Sequence, residues 1–189
     1  MSEPTDAVVP FLFVSGPPGV GKTAVSWEIF DELVRRGDRP ALVDLDLLGA
    51  SWPVPEDDPF NERLKATNLG AMWRNFHASG VRRLIAAGVI ENGAILRAYA
   101  DAVPGAVPVL CRLTAREDVL RSRIVGRGRE HGDDVEKLAQ RAIYLRDELG
   151  RHDGADFWVD TDERDIAEVA RLVISNAEER WLPVSRSAG

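Results

Sequence analysis

Short apolar runs alternate with longer stretches of helical apolar spacing along almost the whole chain. Phe11-Leu12-Phe13-Val14 predicts a buried strand, and Ala24 to Val34 predicts a helix behind it. Gly37-Asp38-Arg39 turns the chain into a second strand, Pro40 to Asp46, which ends in two acids. The proline-rich acidic segment Trp52 to Phe60 fits neither element. A helix over Asn61 to Ala78 follows, with Leu64, Leu69, Met72, Trp73 and Phe76 as its apolar positions and Gly80 as its stop. Trp73 and Phe76 are assigned to the core. Arg83 to Glu91 predicts a third strand, Ile95 to Val103 a short helix, and Val107 to Leu113 a fourth strand. Helices over Ala115 to Arg127, Val135 to Gly150 and Ile166 to Glu179 complete the pattern, with a fifth strand at Ala155 to Asp160. Strands that alternate with helices specify an α/β fold: a mostly parallel sheet covered on both faces. A single domain over 1–189 is expected, with its core in 10–180 and a tail at 183–189.

Composition narrows the chemistry. The formal net charge of −7 argues against nucleic acid as a partner, because phosphate backbones require clustered cations. The single cysteine, Cys111, lies inside an apolar run and reads as a buried small hydrophobe, so no disulfide framework can form within the chain. His77, His131 and His152 lack metal-ligand spacing and are expected to face solvent. Acids stand in Met1 to Asp6 where a signal peptide would carry Lys or Arg, and no apolar stretch reaches membrane-spanning length. These features predict a cytoplasmic protein, monomeric or homodimeric, with no membrane partner.

The sharpest signal is Gly16-Pro17-Pro18-Gly19-Val20-Gly21-Lys22-Thr23, a complete Gly-x-x-x-x-Gly-Lys-Thr phosphate loop between the first strand and the first helix. Glycines let successive backbone N–H groups turn toward an anionic phosphate, and the helix N-terminus, from Ala24 on, adds its positive dipole end. Lys22 is suited to the outer phosphates and the Thr23 hydroxyl to Mg²⁺. The overlapping Gly19-Val20-Gly21-Lys22-Thr23-Ala24 also fits a dinucleotide fingerprint. That reading puts its first glycine too far from the strand and leaves Lys22 and Thr23 without a role.

Three further features bear on the reaction. Asp44-Leu45-Asp46 ends the second strand, whose alternate residues share a face, so both carboxylates are expected at one site. Asp44 would stand near Mg²⁺ and Asp46 near an acceptor hydroxyl. Arg123 and Arg127 lie four apart on a helix that enters the glycine-rich segment 126–134, expected to act as a short lid. Their guanidinium groups suit adenine stacking and phosphate clamping. Finally, the segment 52–60 and Glu91-Asn92-Gly93 would rim the crevice, with Glu91, Arg74 and Arg97 as acceptor-binding residues. Asp46-Leu47-Leu48-Gly49 also matches a GTPase element, but no Asn-Lys-x-Asp guanine reader is present.

Taken together, the chain resembles the small P-loop kinase group, which includes adenylate, shikimate, gluconate and adenylylsulfate kinases and the chloramphenicol phosphotransferases. The resemblance runs from Phe11 to about Ala177 in motif order. Asp44-Leu45-Asp46 is similar to the Asp-x-Asp of shikimate and adenylylsulfate kinases, which implies a metal-side acid at Asp44 and an acceptor-side acid at Asp46. Arg123-Ile124-Val125-Gly126-Arg127 is similar to the start of the adenylate kinase lid, which implies adenine packing by Arg123 and phosphate contact by Arg127. The resemblance implies a five-stranded parallel sheet of order 2-3-1-4-5, ATP and Mg²⁺ as cofactors, and transfer of a phosphoryl group to a hydroxyl of a small-molecule acceptor. The departures concern the acceptor. Glu91-Asn92-Gly93-Ala94-Ile95 stands where adenylate kinase has Asp-Gly-Phe-Pro-Arg, and the glycine-rich acceptor loop of shikimate kinase is missing. A nucleotide-dependent switch without a small-molecule acceptor, and a nucleoside monophosphate kinase with an altered acceptor site, are the alternatives.

Overall fold

A computed structural model describes residues 8–128, 131–151 and 154–187. In chain order it contains β1 (Val9–Ser15), α1 (Lys22–Arg35), β2 (Pro40–Asp44), α2 (Leu45–Leu48), α3 (Glu62–Ala78), β3 (Arg83–Ala87) and α4 (Gly93–Asp101). It continues through β4 (Ala106–Thr114), α5 (Glu117–Gly126), α6 (Asp133–Arg151), β5 (Phe157–Asp160) and α7 (Ile166–Ser187). The five strands pair in parallel in the order β2-β3-β1-β4-β5, as expected.

Parallel strands joined through helices must bury both faces, and the core divides accordingly. On one face Leu12, Val14, Ile85, Cys111 and Leu113 pack against Ile29 and Leu33 of α1 and Val169, Val173 and Ile174 of α7. On the other, Phe11, Phe13, Leu84, Ala86 and Leu110 meet Leu69 and Trp73 of α3 and Tyr99 of α4. Phe11 and Phe13 of β1 are fully buried, consistent with the central place of that strand. Truncating such a side chain to alanine costs about 3–5 kcal/mol, so the sheet is a rigid base for the loops at its C-terminal edge. A smaller cluster, Ile124, Ala139 and Ala142, joins α5 to α6.

Three boundaries differ from the sequence expectation. β2 ends at Asp44, and Leu45 begins a one-turn helix in place of two more strand residues. β3 ends at Ala87, which leaves Glu91 on a connecting segment rather than at a strand tip. The last helix runs on to Ser187, so the backbone of 183–187 is helical where a tail is expected. His77 is also not a simple surface residue. Its ring stands 5.3 Å from that of Trp73, and its Nδ1 is buried without a hydrogen-bond partner. His131 is exposed; His152 and part of the lid segment 126–134 lie outside the described residues.

Candidate active site

The phosphate loop leaves β1 at Ser15 and enters α1 at Lys22. Gly16, Gly19 and Gly21 adopt φ values of 151°, 82° and 101°, a region that favours glycine. Close packing reinforces the requirement at two of them. A Cβ on Gly16 would stand 2.6 Å from the Leu113 carbonyl oxygen, and one on Gly19 would stand 2.9 Å from Ile124 Cγ1. The loop is thereby pressed against the ends of β4 and α5. The first turn of α1 holds no acidic residue, so its N-terminal dipole is left for an anion.

Lys22 curls back over the loop, its Nζ donating to the carbonyls of Gly16 at 2.9 Å and Pro17 at 3.1 Å. Burial lowers its pKa to about 8. Asp46 and Asp44 oppose that shift, while Arg127 adds to it. Lys22 is therefore the point at which both acids and Arg127 converge electrostatically.

The turn after Asp44 changes what the two acids can do. Asp44 caps α2, its Oδ1 accepting from the Asp46 N–H at 3.0 Å. On a continuous strand the carboxylates would share a face; here the turn separates them. Asp44 lines a cavity of about 330 Å³ together with Thr23, Ser26, Trp27 and Met72. Asp46 lines a different cavity of about 210 Å³ with Pro18 of the phosphate loop, Phe60, Lys65, Glu91 and Arg141. What is corrected is the route, not the meeting: Asp46 lies on α2 past the end of β2, so strand alternation does not place it, although both acids still act on Lys22 while lining different cavities.

Glu91 lines that second cavity and has a partner there. Arg141 Nη2 of α6 donates to Glu91 Oε1 at 3.0 Å, and its guanidinium lies over the rings of Phe60 and Tyr144. Asn92 caps α4 through the N–H groups of Ala94 and Ile95, both at 3.0 Å, which fixes the segment that carries Glu91. Below it, Arg112 of β4 is buried and donates to Ser15 Oγ and to the Ile90 carbonyl, each at 2.8 Å. Arg112 thus ties the start of the phosphate loop to the segment that carries Glu91. Of the 52–60 segment, Phe60 lines the cavity, whereas Asp58 caps α3 by accepting from the N–H groups of Glu62 and Arg63. Trp52 is almost fully exposed.

Other placements differ from expectation. Arg74 and Arg97 are exposed on α3 and α4 and do not line this cavity. Arg123 is held by Thr161, donating to its Oγ1 and its carbonyl at 2.9 Å each, and touches the Val20 carbonyl at 3.4 Å. It therefore docks α5 onto the phosphate loop and onto the segment after β5. Sequence reasoning missed Glu62, Lys65, Tyr99 and Arg141. Lys65 carried a signal, being one of three lysines in a chain whose cations are otherwise arginines.

No protein-family model and no curated protein matches the chain in sequence. Solved structures do match in shape. A gluconokinase from Sinorhizobium meliloti 1021 aligns with a TM-score of 0.65 at 18% identity, over 96% of this chain and 99% of its own. The tunicamycin resistance protein of Deinococcus radiodurans gives 0.60 at 20%, over 88% and 94%. Shikimate kinase from Acinetobacter baumannii, in complex with shikimate, gives 0.57 at 19%, over 93% and 97%. The chain has the fold of the small P-loop kinases. At these identities the likeness is one of architecture, and the chemistry must be argued from the side chains.

Proposed function

We propose that this P-loop protein is a phosphotransferase that moves the γ-phosphoryl group of Mg-ATP to a hydroxyl of a small-molecule acceptor. The observation that carries the reading is Lys22, on which both Asp44 and Asp46 act, with Asp44 and Thr23 lining one cavity and Asp46 another.

The residues fit the nucleotide and its metal. The backbone at Gly16 and Gly19 has no room for a Cβ, and α1 presents an N-terminus free of acids. One hydroxyl (Thr23) and one carboxylate (Asp44) stand among the otherwise mostly apolar walls of the same cavity, and these two hard oxygens would suit Mg²⁺ with phosphate and water completing its shell. Bound there, the metal would neutralise charge on the phosphates. Lys22 exchanges its two carbonyl partners for phosphate oxygens. Arg127, close enough to depress the Lys22 pKa, adds a second cation beside the transferring group. Arg123, oriented by Thr161, braces the phosphate loop, and its planar guanidinium is the group we assign to pack on the base.

Asp46 orients the acceptor hydroxyl and accepts its proton as the oxygen attacks the γ-phosphorus. The bond to the bridging oxygen breaks, and ADP leaves with the electron pair. Positioning and charge stabilisation supply most of the rate in this chemistry.

The test is ADP release from Mg-ATP across a panel of hydroxylated acceptors, repeated with Lys22→Ala. Acceptor-stimulated release that vanishes in the variant supports the reading. Tight ATP binding with only acceptor-independent hydrolysis would replace it with the nucleotide-switch alternative, and transfer to AMP or CMP with the nucleotide-kinase alternative.

A further inference from the structure

The lining of the Asp46 cavity holds three carboxylates, Asp46, Glu62 and Glu91, against two cations, Lys65 and Arg141. Both cations are committed. Lys65 is buried and donates to Glu62 at 3.0 Å, with Asp46 at 3.9 Å. Its chain is also wedged against Gly49, where a Cβ would stand 2.8 Å from Lys65 Cε. Arg141 is taken by Glu91 at 3.0 Å and by the two aromatic rings. Glu62 is in turn fixed by the Tyr99 hydroxyl. Asp46 is the least engaged of these groups: its side chain is 71% exposed, and the long contact to Lys65 is its one ion pair among the described residues. The remaining walls, Val89, Ile95, Leu145 and the Phe60 ring, are apolar.

Resting on the kinase reading above, we infer that the acceptor is an uncharged or cationic hydroxyl compound with an apolar face, and that carboxylated and phosphorylated acceptors are rejected. Along this lining an entering anion meets one more carboxylate than cation, and capturing the buried Lys65 would strip Glu62 of its partner; the more exposed Arg141–Glu91 pair adds a smaller penalty. A hydroxyl or an ammonium meets Asp46 without breaking either pair.

The experiment compares matched acceptors in the ADP-release assay: gluconate with glucitol and glucosamine, and shikimate with its methyl ester. The uncharged or aminated member is expected to lead in kcat/KM by about a hundredfold, as like charges at close range dictate. Glu91→Gln, which releases Arg141, should narrow that gap by about tenfold. ATP affinity of the same preparation reports that the variant is folded. A preference for the acid member, or a gap unchanged by Glu91→Gln, overturns the inference and leaves the kinase reading standing. ATP binding with no stimulation by any member removes both.

Discussion

The two sides of the crevice are built in opposite ways. The phosphate side is one contiguous stretch, Gly16 to Thr23, whose chemistry is mostly backbone. The cavity we propose for the acceptor is drawn from five separated regions, around Pro18, Asp46, Phe60 to Lys65, Val89 to Ile95, and Arg141 to Leu145. Its chemistry is entirely side chain. A phosphate has the same shape in every nucleotide, so a local loop suffices to hold it. An acceptor is particular, and its pocket has to be assembled from wherever the fold brings surfaces together.

That contrast predicts a hierarchy of effects. Lys22→Ala removes the cation at the point of convergence and should lower phosphoryl transfer by about a thousandfold, since electrostatic stabilisation is the dominant contribution. A turnover near that of the parent would mean the phosphate side is not the seat of the chemistry. Asp46→Asn should lower kcat by about a hundredfold while ATP affinity holds, because only the acceptor side loses a group. Equal loss of both quantities would make Asp46 a structural residue and erase the division between the two sides.

Gly19→Ala tests the backbone character of the phosphate side. With φ at 82° and Leu120 and Ile124 in the way, the new Cβ should cost about 1–3 kcal/mol of stability and weaken ATP binding. Thermal unfolding together with nucleotide titration would register it; an unchanged midpoint would mean that the loop is looser than its packing implies.

Lys22 also couples nucleotide binding to protons. In the empty folded protein its pKa is about 8, against 10.5 for the ordinary group. Between these values the unfolded chain holds the proton that the folded protein has released, so the Lys22 contribution to stability rises with pH across that window. A triphosphate restores the ammonium, so metal-free ATP should bind with uptake of about half a proton near pH 8. Calorimetry in buffers of different ionisation heat measures it, and zero uptake would mean Lys22 is not buried as described. The smallest effect belongs to Arg74→Ala and Arg97→Ala, exposed on α3 and α4, which should move acceptor KM by less than about twofold. A larger change would extend the acceptor side beyond the cavity.

The same contrast explains what could be read from the residues. The sheet order was legible because motif order resembles a known group, and the phosphate loop because its spacing is local. Glu62 and Lys65 were hidden by their helical i, i+3 spacing, which looks like an ordinary surface ion pair. Arg141 was hidden because its partner, Glu91, is fifty residues away in sequence. Asp44 and Asp46 were recognised as a pair but placed on one strand, whereas Asp46 stands on a one-turn helix, since nothing in Asp-Leu-Asp says whether the strand goes on or turns.

By itself, the sequence determined the α/β alternation, the placing of the phosphate loop between strand and helix, and the residue types available for phosphate and metal. These follow from apolar periodicity and local backbone requirements, which act over a few residues. The tertiary structure decided that Asp44 and Asp46 line different cavities, that Arg123 braces the loop through Thr161, and that Lys65 and Arg141 of the Asp46 cavity are paired with acids. Those outcomes depend on which distant side chains meet when helices pack on a sheet, and no local pattern encodes that meeting.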